Sequence, residues 1–146
     1  MFRGCYVATV TDFKDGRLNL DGIRSLTRKL IGAGVAGLVP AGCTGEAATL
    51  SAAERVQVIK AVLDERGRQK DVKIIPGTGT NATASTIELT VMAEDMGADG
   101  ALLITPYYNK PTQQGLIKHY QAVAAKVKIP LMLYNVPGRT GVNMLP

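Results

Sequence analysis

Tryptophan is absent from this 146-residue chain, histidine occurs once, cysteine and phenylalanine twice each, and tyrosine five times. Each shortage removes a class of function. Two cysteines, Cys5 and Cys43, make no disulfide framework, and a reduced, cytoplasmic setting is the default. The one histidine, His119, has no ligand partners at suitable spacing, so no metal is called for. It falls on a predicted helix and is expected to face solvent, which leaves Cys43 without the base a thiol nucleophile needs. No apolar run reaches the roughly 20 residues of a membrane span. The start, Met1-Phe2-Arg3-Gly4-Cys5, lacks the long apolar region of a signal peptide. The formal charge is +5, yet lysines and arginines are scattered among acids, as in Asp64-Glu65-Arg66. No aromatics interleave with a basic patch as single-strand binders require. Nucleic acid and membrane are therefore set aside as partners. A modest positive field suits small anionic substrates instead.

What is present is a repeating unit. Hydrophobic residues make up 46% of the chain, enough for a core, and the length fits one domain over residues 1–146. Short apolar runs recur at roughly 30-residue spacing, as βα units give: Gly4–Thr9, Gly37–Pro40, Val72–Pro76, Ala101–Thr105 and Ile129–Tyr134. They are continuous rather than alternating, which suits parallel strands buried on both faces. Several stop at proline, which lacks the N–H needed to continue a ladder. Helical patterns lie between them. Ile23, Leu26 and Leu30 share a face before Gly32. Ser51-Ala52-Ala53-Glu54 is a capping box, leading into a stripe of Val56, Ile59 and Leu63, with Gly67 as the C-terminal cap. A third helix over 83–96 carries Ile87 and Val91 inward. A fourth starts near Thr112 and carries Leu116, Tyr120, Val123 and Val127. This α/β order fits either an open doubly wound sheet or part of a (β/α)8 barrel, whose full length is about 250 residues.

Polar loops follow the strands, where α/β proteins place their chemistry. After the second strand comes Ala41-Gly42-Cys43-Thr44-Gly45-Glu46-Ala47-Ala48-Thr49-Leu50. Its glycines let backbone N–H groups approach a small anion, with Thr44 adding a hydroxyl. Gly77-Thr78-Gly79-Thr80-Asn81 lacks nucleotide-loop spacing and reads as a structural turn, so no cofactor is implied. Thr105-Pro106-Tyr107-Tyr108-Asn109-Lys110-Pro111 exposes two tyrosines, which more often pack at an interface or line a pocket. After the last strand, Tyr134-Asn135-Val136-Pro137-Gly138-Arg139-Thr140-Gly141 sets a phenol, an amide, a tight Pro-Gly turn and a fixed positive charge together.

In this order and spacing the four loops resemble the N-terminal half of the 4-hydroxy-tetrahydrodipicolinate (dihydrodipicolinate) synthase family. That family belongs to the pyruvate-dependent Schiff-base aldolases, with N-acetylneuraminate lyase. The resemblance covers essentially the whole chain. It implies a partial TIM (β/α)8 barrel of about four and a half βα units with parallel strands. It also implies a lyase of lysine and diaminopimelate biosynthesis that condenses pyruvate with aspartate semialdehyde, working as a homo-oligomer, dimer or tetramer, when full-length. By the same resemblance Tyr134 relays protons beside the Schiff base, and Thr44 with Gly45 holds the pyruvate carboxylate. Tyr108 completes the relay across a dimer interface, and Arg139 grips the second substrate's carboxylate, as a guanidinium does with two parallel bonds. Arg139 also argues against a related aldolase acting on a sugar acid.

Three departures stand out. Cys43 occupies the place of a relay threonine, and a thiol is the weaker hydrogen-bonding group. Ala52 and Arg55 replace two histidines of a lysine feedback site, and Ser85 replaces an acid, so lysine inhibition is expected to be weak or missing. The Schiff-base lysine of the family lies beyond Pro146, and no lysine in the chain substitutes for it. Lys73 starts a strand on the wrong side. Lys110 is in the tyrosine loop. Lys29, Lys60, Lys118, Lys126 and Lys128 belong to helices or their ends. The chain is therefore expected to be inactive alone. With its open strand edges it is expected to be part of a longer polypeptide, to pair with a complementary half or to self-associate, the alternative function being a non-catalytic half-barrel that acts as an assembly partner.

Overall fold

The computed structural model describes residues 2–69 and 71–146. The strands and helices are β1 (Tyr6–Ala8), β2 (Phe13–Lys14), β3 (Arg17–Leu18), α1 (Leu20–Gly32), β4 (Gly37–Val39), α2 (Ala52–Arg66), β5 (Lys73–Ile74), α3 (Thr83–Asp95), β6 (Ala101–Ile104), α4 (Gln113–Ala124), β7 (Leu131–Tyr134) and α5 (Pro137–Thr140). The strands β1, β4 and β5 pair in parallel in that order, and β6 pairs in parallel with β7. A parallel bridge between Gly77 and Leu102 carries the ladder from one set to the other, through Leu102 N–H to Pro76 O at 2.8 Å and Thr78 N–H to Leu102 O at 3.0 Å.

Leaving the hairpin aside, each new strand is laid beside the previous one and the order never reverses. A doubly wound sheet reverses at its switch point; a βα barrel does not. The helices follow suit, α1 packing on α2, α2 on α3 and α3 on α4. The chain thus forms an arc of a (β/α)8 barrel, with about four and a half units and a single outer layer of helices. The open-sheet alternative falls on strand order, a property that hydrophobic periodicity does not encode.

The core lies between strands and helices. Ile23, Leu38, Val58, Ile59, Val62, Leu63 and Ile74 form one cluster, and Ala101, Leu103, Leu116, Tyr120 and Val123 another. Each large side chain so buried contributes about 1.5–3 kcal/mol. Several details depart from expectation. The strands are shorter at their ends than the apolar runs. Burial on both faces holds for β4 but not for β1 or β7. Along α2 the buried stripe is Val58, Ile59, Val62 and Leu63, flanked by Arg55 and Arg66, while Val56 is half-buried.

On α3 the inward face is Thr86, Thr90 and Ala93, while Ile87 and Val91 are half-buried. Threonine is admissible there because its hydroxyl finds backbone. Thr90 Oγ1 donates to Thr86 O at 2.6 Å and Thr86 Oγ1 to Ala82 O at 2.9 Å. Thr78 and Thr90 hydroxyls meet at 2.8 Å, and Thr80 N–H donates to Thr86 Oγ1 at 3.0 Å. This ladder pins the 77–81 turn to α3. His119 is also buried rather than solvent-facing, its Nδ1 2.9 Å from Thr83 Oγ1. The β2–β3 hairpin turns on Asp15 and Gly16, with φ of 52° and 72°, the left-handed pair of a tight hairpin. Sequence reading passed over that Asp-Gly signal.

Carboxylates clip the N-terminal ends of the strands. Asp99 accepts from Arg66 Nη1 at 2.7 Å, Ile74 N–H at 3.0 Å and Lys73 Nζ at 3.4 Å. Glu94 Oε1 accepts from Lys128 N–H at 2.7 Å and Ile129 N–H at 3.0 Å. The predicted capping box closes α2 at the other end: Ser51 N–H donates to Glu54 Oε2 at 2.9 Å and Glu54 N–H to Ser51 Oγ at 3.2 Å.

Candidate active site

The loops after β4, β5, β6 and β7 converge at the C-terminal ends of the strands around a cavity of about 310 Å³. The backbone there is unusual. Among the described residues five non-glycines have positive φ, and all but the hairpin's Asp15 lie in two of these loops: Ala41, Glu46, Tyr108 and Lys110. Such conformations are unfavourable and persist where surrounding structure imposes them, often at functional sites. Ala41 and Glu46 bracket the Gly-Cys-Thr-Gly segment and fold it into a cradle. Gly77 makes the cradle possible, since a Cβ there would collide with the Ala41 carbonyl oxygen.

Tyr134 ends β7 and lines the cavity with Cys43 and Arg139. Burial raises the Tyr134 phenol above its ordinary pKa. The nearby Cys43 side chain adds to the rise, and the Arg139 guanidinium opposes it. The phenol therefore stays protonated near neutral pH, a donor with a sulfur neighbour on one side and a cation on the other. Arg139 is held by α5, a single helical turn where a tight Pro-Gly turn was expected. Pro137 starts it and Gly141 closes it with φ of 72°. Thr140, buried at its end, donates to Val136 O at 3.2 Å and Val142 O at 3.0 Å. Asn135 is a clamp rather than a presented amide: its Nδ2 donates to Asn143 Oδ1 at 2.7 Å, and its Oδ1 accepts from Met144 N–H at 3.1 Å.

Other site candidates stand apart from the cavity. Thr44 is exposed, and Gly45 is buried behind the cradle, its carbonyl accepting from Thr11 Oγ1 at 2.6 Å. Tyr108 is 89% exposed and lies outside the cavity, while its neighbour Tyr107 lines it. Sequence reading singled out the pair without assigning Tyr107 a place. Glu46 also lines the cavity and was not read as a site residue; Arg55, read as a changed position of the lysine feedback site, lines it as well. Among the described residues no lysine lines it; Lys73 sits at the opposite end, ion-paired with Asp99.

A cavity at the C-terminal face of a parallel βα arc, walled by a tyrosine, a thiol and arginines, defines an α/β barrel protein with its candidate site at the C-terminal ends of the strands. Comparison with known proteins narrows this class. The dihydrodipicolinate synthetase family model matches residues 1–146, and the chain belongs to that family. A 4-hydroxy-tetrahydrodipicolinate synthase of Geobacter metallireducens is 52% identical over 146 residues, covering 100% of this chain and 50% of that protein. The chloride-inhibited dihydrodipicolinate synthase of Acinetobacter baumannii, solved with pyruvate, is 50% identical with a TM-score of 0.94, covering 99% of this chain and 49% of that one. A Cyanidioschyzon merolae enzyme solved with lysine bound is 39% identical with a TM-score of 0.93, covering 98% of this chain and 49% of that one. The chain spans about half the length of the curated relatives it matches.

Proposed function

We propose that this chain supplies the proton-relay and carboxylate-binding part of a 4-hydroxy-tetrahydrodipicolinate synthase. That enzyme condenses pyruvate with aspartate semialdehyde in the cytoplasm. The observation that carries the reading is the convergence of Tyr134, Cys43 and Arg139 in one cavity. An amine first condenses with the pyruvate ketone and water leaves. Loss of a methyl proton gives an enamine, whose carbon bonds to the aldehyde carbon of the second substrate while the aldehyde oxygen takes a proton. Tyr134, protonated at neutral pH and sharing the cavity with Cys43, is placed to pass protons in these steps. Arg139 receives the aldehyde substrate's carboxylate, and Thr44 with Gly45 supports that of pyruvate. Tyr108, exposed here, reaches the relay of a second subunit, which makes the working form a homo-oligomer.

The amine is the missing component. No lysine among the described residues lines the cavity, and enamine chemistry needs one. The chain alone therefore does not turn over. Intact mass after pyruvate and borohydride tests this directly: the 15.5 kDa chain should remain unmodified. A pyruvate adduct on it would overturn the assignment. Assayed with the amine supplied by its complement, aspartate semialdehyde should be used in preference to sugar-acid partners, and lysine should inhibit weakly or not at all. Potent lysine inhibition would contradict the roles given to Ala52, Arg55 and Ser85.

A second reading, a half-barrel that serves only in assembly, is favoured by the exposed apolar residues Val10, Leu133 and Leu145. It is separated from the first by whether adding the complement restores turnover.

A further inference from the structure

Arg139 is exposed, and the helix that carries it is a single turn. So short a helix closes too few backbone bonds to hold itself, and α5 has no side-chain cap at its start. Its closing bond runs from Gly141 N–H to Pro137 O at 2.9 Å. The group that covers this closing residue comes from a different loop. The Lys110 stem lies across Gly141: a Cβ built there would sit 2.8 Å from Lys110 Cε and 3.7 Å from its Cδ and Cγ. Lys110 itself has φ of 45°, a conformation that persists only where neighbouring structure imposes it. Its ammonium makes no ion pair among the described residues, so charge pairing does not explain the placement. The segment is anchored on its other side, where Asn109 Nδ2 donates to Asn81 O at 2.9 Å and Asn109 N–H to Tyr107 O at 2.9 Å. The tyrosine loop thus bridges its two neighbours, bonded to the turn after β5 and pressed on the turn after β7.

We propose that Lys110 is a positioning residue for Arg139, acting through its aliphatic stem rather than its charge. Long cationic side chains lay the stem on a surface and leave the head in water. Here the stem closes over the glycine that ends α5. It holds the turn at its place on the cavity wall and keeps the Arg139 guanidinium aimed at a carboxylate. An exposed arginine has no packing of its own to do this. A two-bond grip on a carboxylate needs fixed geometry, and misplacing such a group by about 1 Å costs up to about 10²-fold in the reaction it serves. The inference rests on the proposed role of Arg139 for the carboxylate, while the clamp on α5 is tested without it.

Two substitutions separate stem from charge. Lys110→Met keeps an unbranched apolar chain and removes the ammonium, while Lys110→Ala removes both. Hydrogen exchange of the Arg139, Thr140 and Gly141 amides reads the clamp with no ligand present. It should be about tenfold faster in Lys110→Ala and within about twofold of the parent in Lys110→Met. The denaturant midpoint should stay unchanged in both, since Lys110 is exposed and surface substitutions have little effect on global stability. Acetate at constant ionic strength then probes Arg139 through its 15N-labelled Nε–H, assigned by its loss in Arg139→Met. Half-saturation should rise about tenfold in Lys110→Ala and stay near the parent value in Lys110→Met. Exchange unchanged in Lys110→Ala would overturn the clamp. So would equal losses in the two variants, which would make the charge the active part. Faster exchange in Lys110→Ala alone, with a parent Arg139 resonance unmoved by acetate, would uphold the clamp and remove the carboxylate role of Arg139 instead.

Discussion

The two ends of the strand arc use the same residue type for opposite purposes. At the N-terminal ends Arg66 is buried against Asp99, which also holds the Ile74 N–H and Lys73. At the C-terminal ends Arg55 is buried to nearly the same degree, 5% against 3% exposed, and among the described residues its hydrogen-bond partner is the Ala47 carbonyl. One end has a carboxylate bonded by two side chains and a backbone N–H. The other keeps donors free and bends its backbone into unfavourable conformations. Barrels of this kind place stability at the first face and chemistry at the second. Here the division is visible along a single helix. What distinguishes a structural from a functional arginine is the presence of an acid within reach, not burial.

Breaking the stable end should have the largest effect. Asp99→Ala strands the Arg66 guanidinium and the Ile74 N–H, and should lower unfolding free energy by about 3–5 kcal/mol, read from the denaturant midpoint. A loss near zero would mean that the clip is replaced by water. At the other end, Tyr134→Phe keeps the ring and removes the proton. In the catalytically complete enzyme it should cut turnover by about 10²–10⁴-fold while leaving the denaturant midpoint nearly unchanged. Equal losses of activity and stability would erase the division between the two ends.

A smaller effect probes the side of the arc, where α3 meets α4. Burial holds the His119 pKa below its ordinary value, so the unfolded chain binds the proton first as pH falls. Stability should therefore be full above about pH 6.5 and decline as pH drops toward the folded-state pKa. His119→Gln should flatten that slope in melts taken across the range. A slope that persists would assign it to other groups.

The arc itself was legible because its strands are apolar runs stopped by prolines and its helices carry recognisable caps. Ser51 and Glu54 form the box their spacing announces. Strand order was not legible from periodicity, and only the resemblance of four loops selected the barrel. Tyr134, Cys43 and Arg139, which share the cavity, stood out because they sit in loops with distinctive residue combinations. Residue type alone does not separate Tyr107 from Tyr108, and only the resemblance gave Tyr108 a role; Tyr108 has a positive φ of 74° and is 89% exposed, while Tyr107 lines the cavity. His119 was misjudged, and the burial of Arg55 went unread, for a related reason. Both are polar residues on helices, where the ordinary expectation is solvent, and their burial depends on what the neighbouring element presents: Ala47 O to one, Thr83 to the other. Thr86 and Thr90 escape notice likewise, because a hydroxyl bonded to its own helix can replace an aliphatic side chain in a tight interface.

The most direct measurement is a side-by-side chemical denaturation of Arg66→Met and Arg55→Met in anion-poor buffer. Expected is a loss of about 3 kcal/mol for Arg66→Met, because Asp99 loses its main partner, and no loss or a gain for Arg55→Met, because a buried unpaired charge gives way to an apolar chain of similar length. A loss for Arg55→Met as large as that for Arg66→Met would contradict the division, and would make both arginines part of the scaffold.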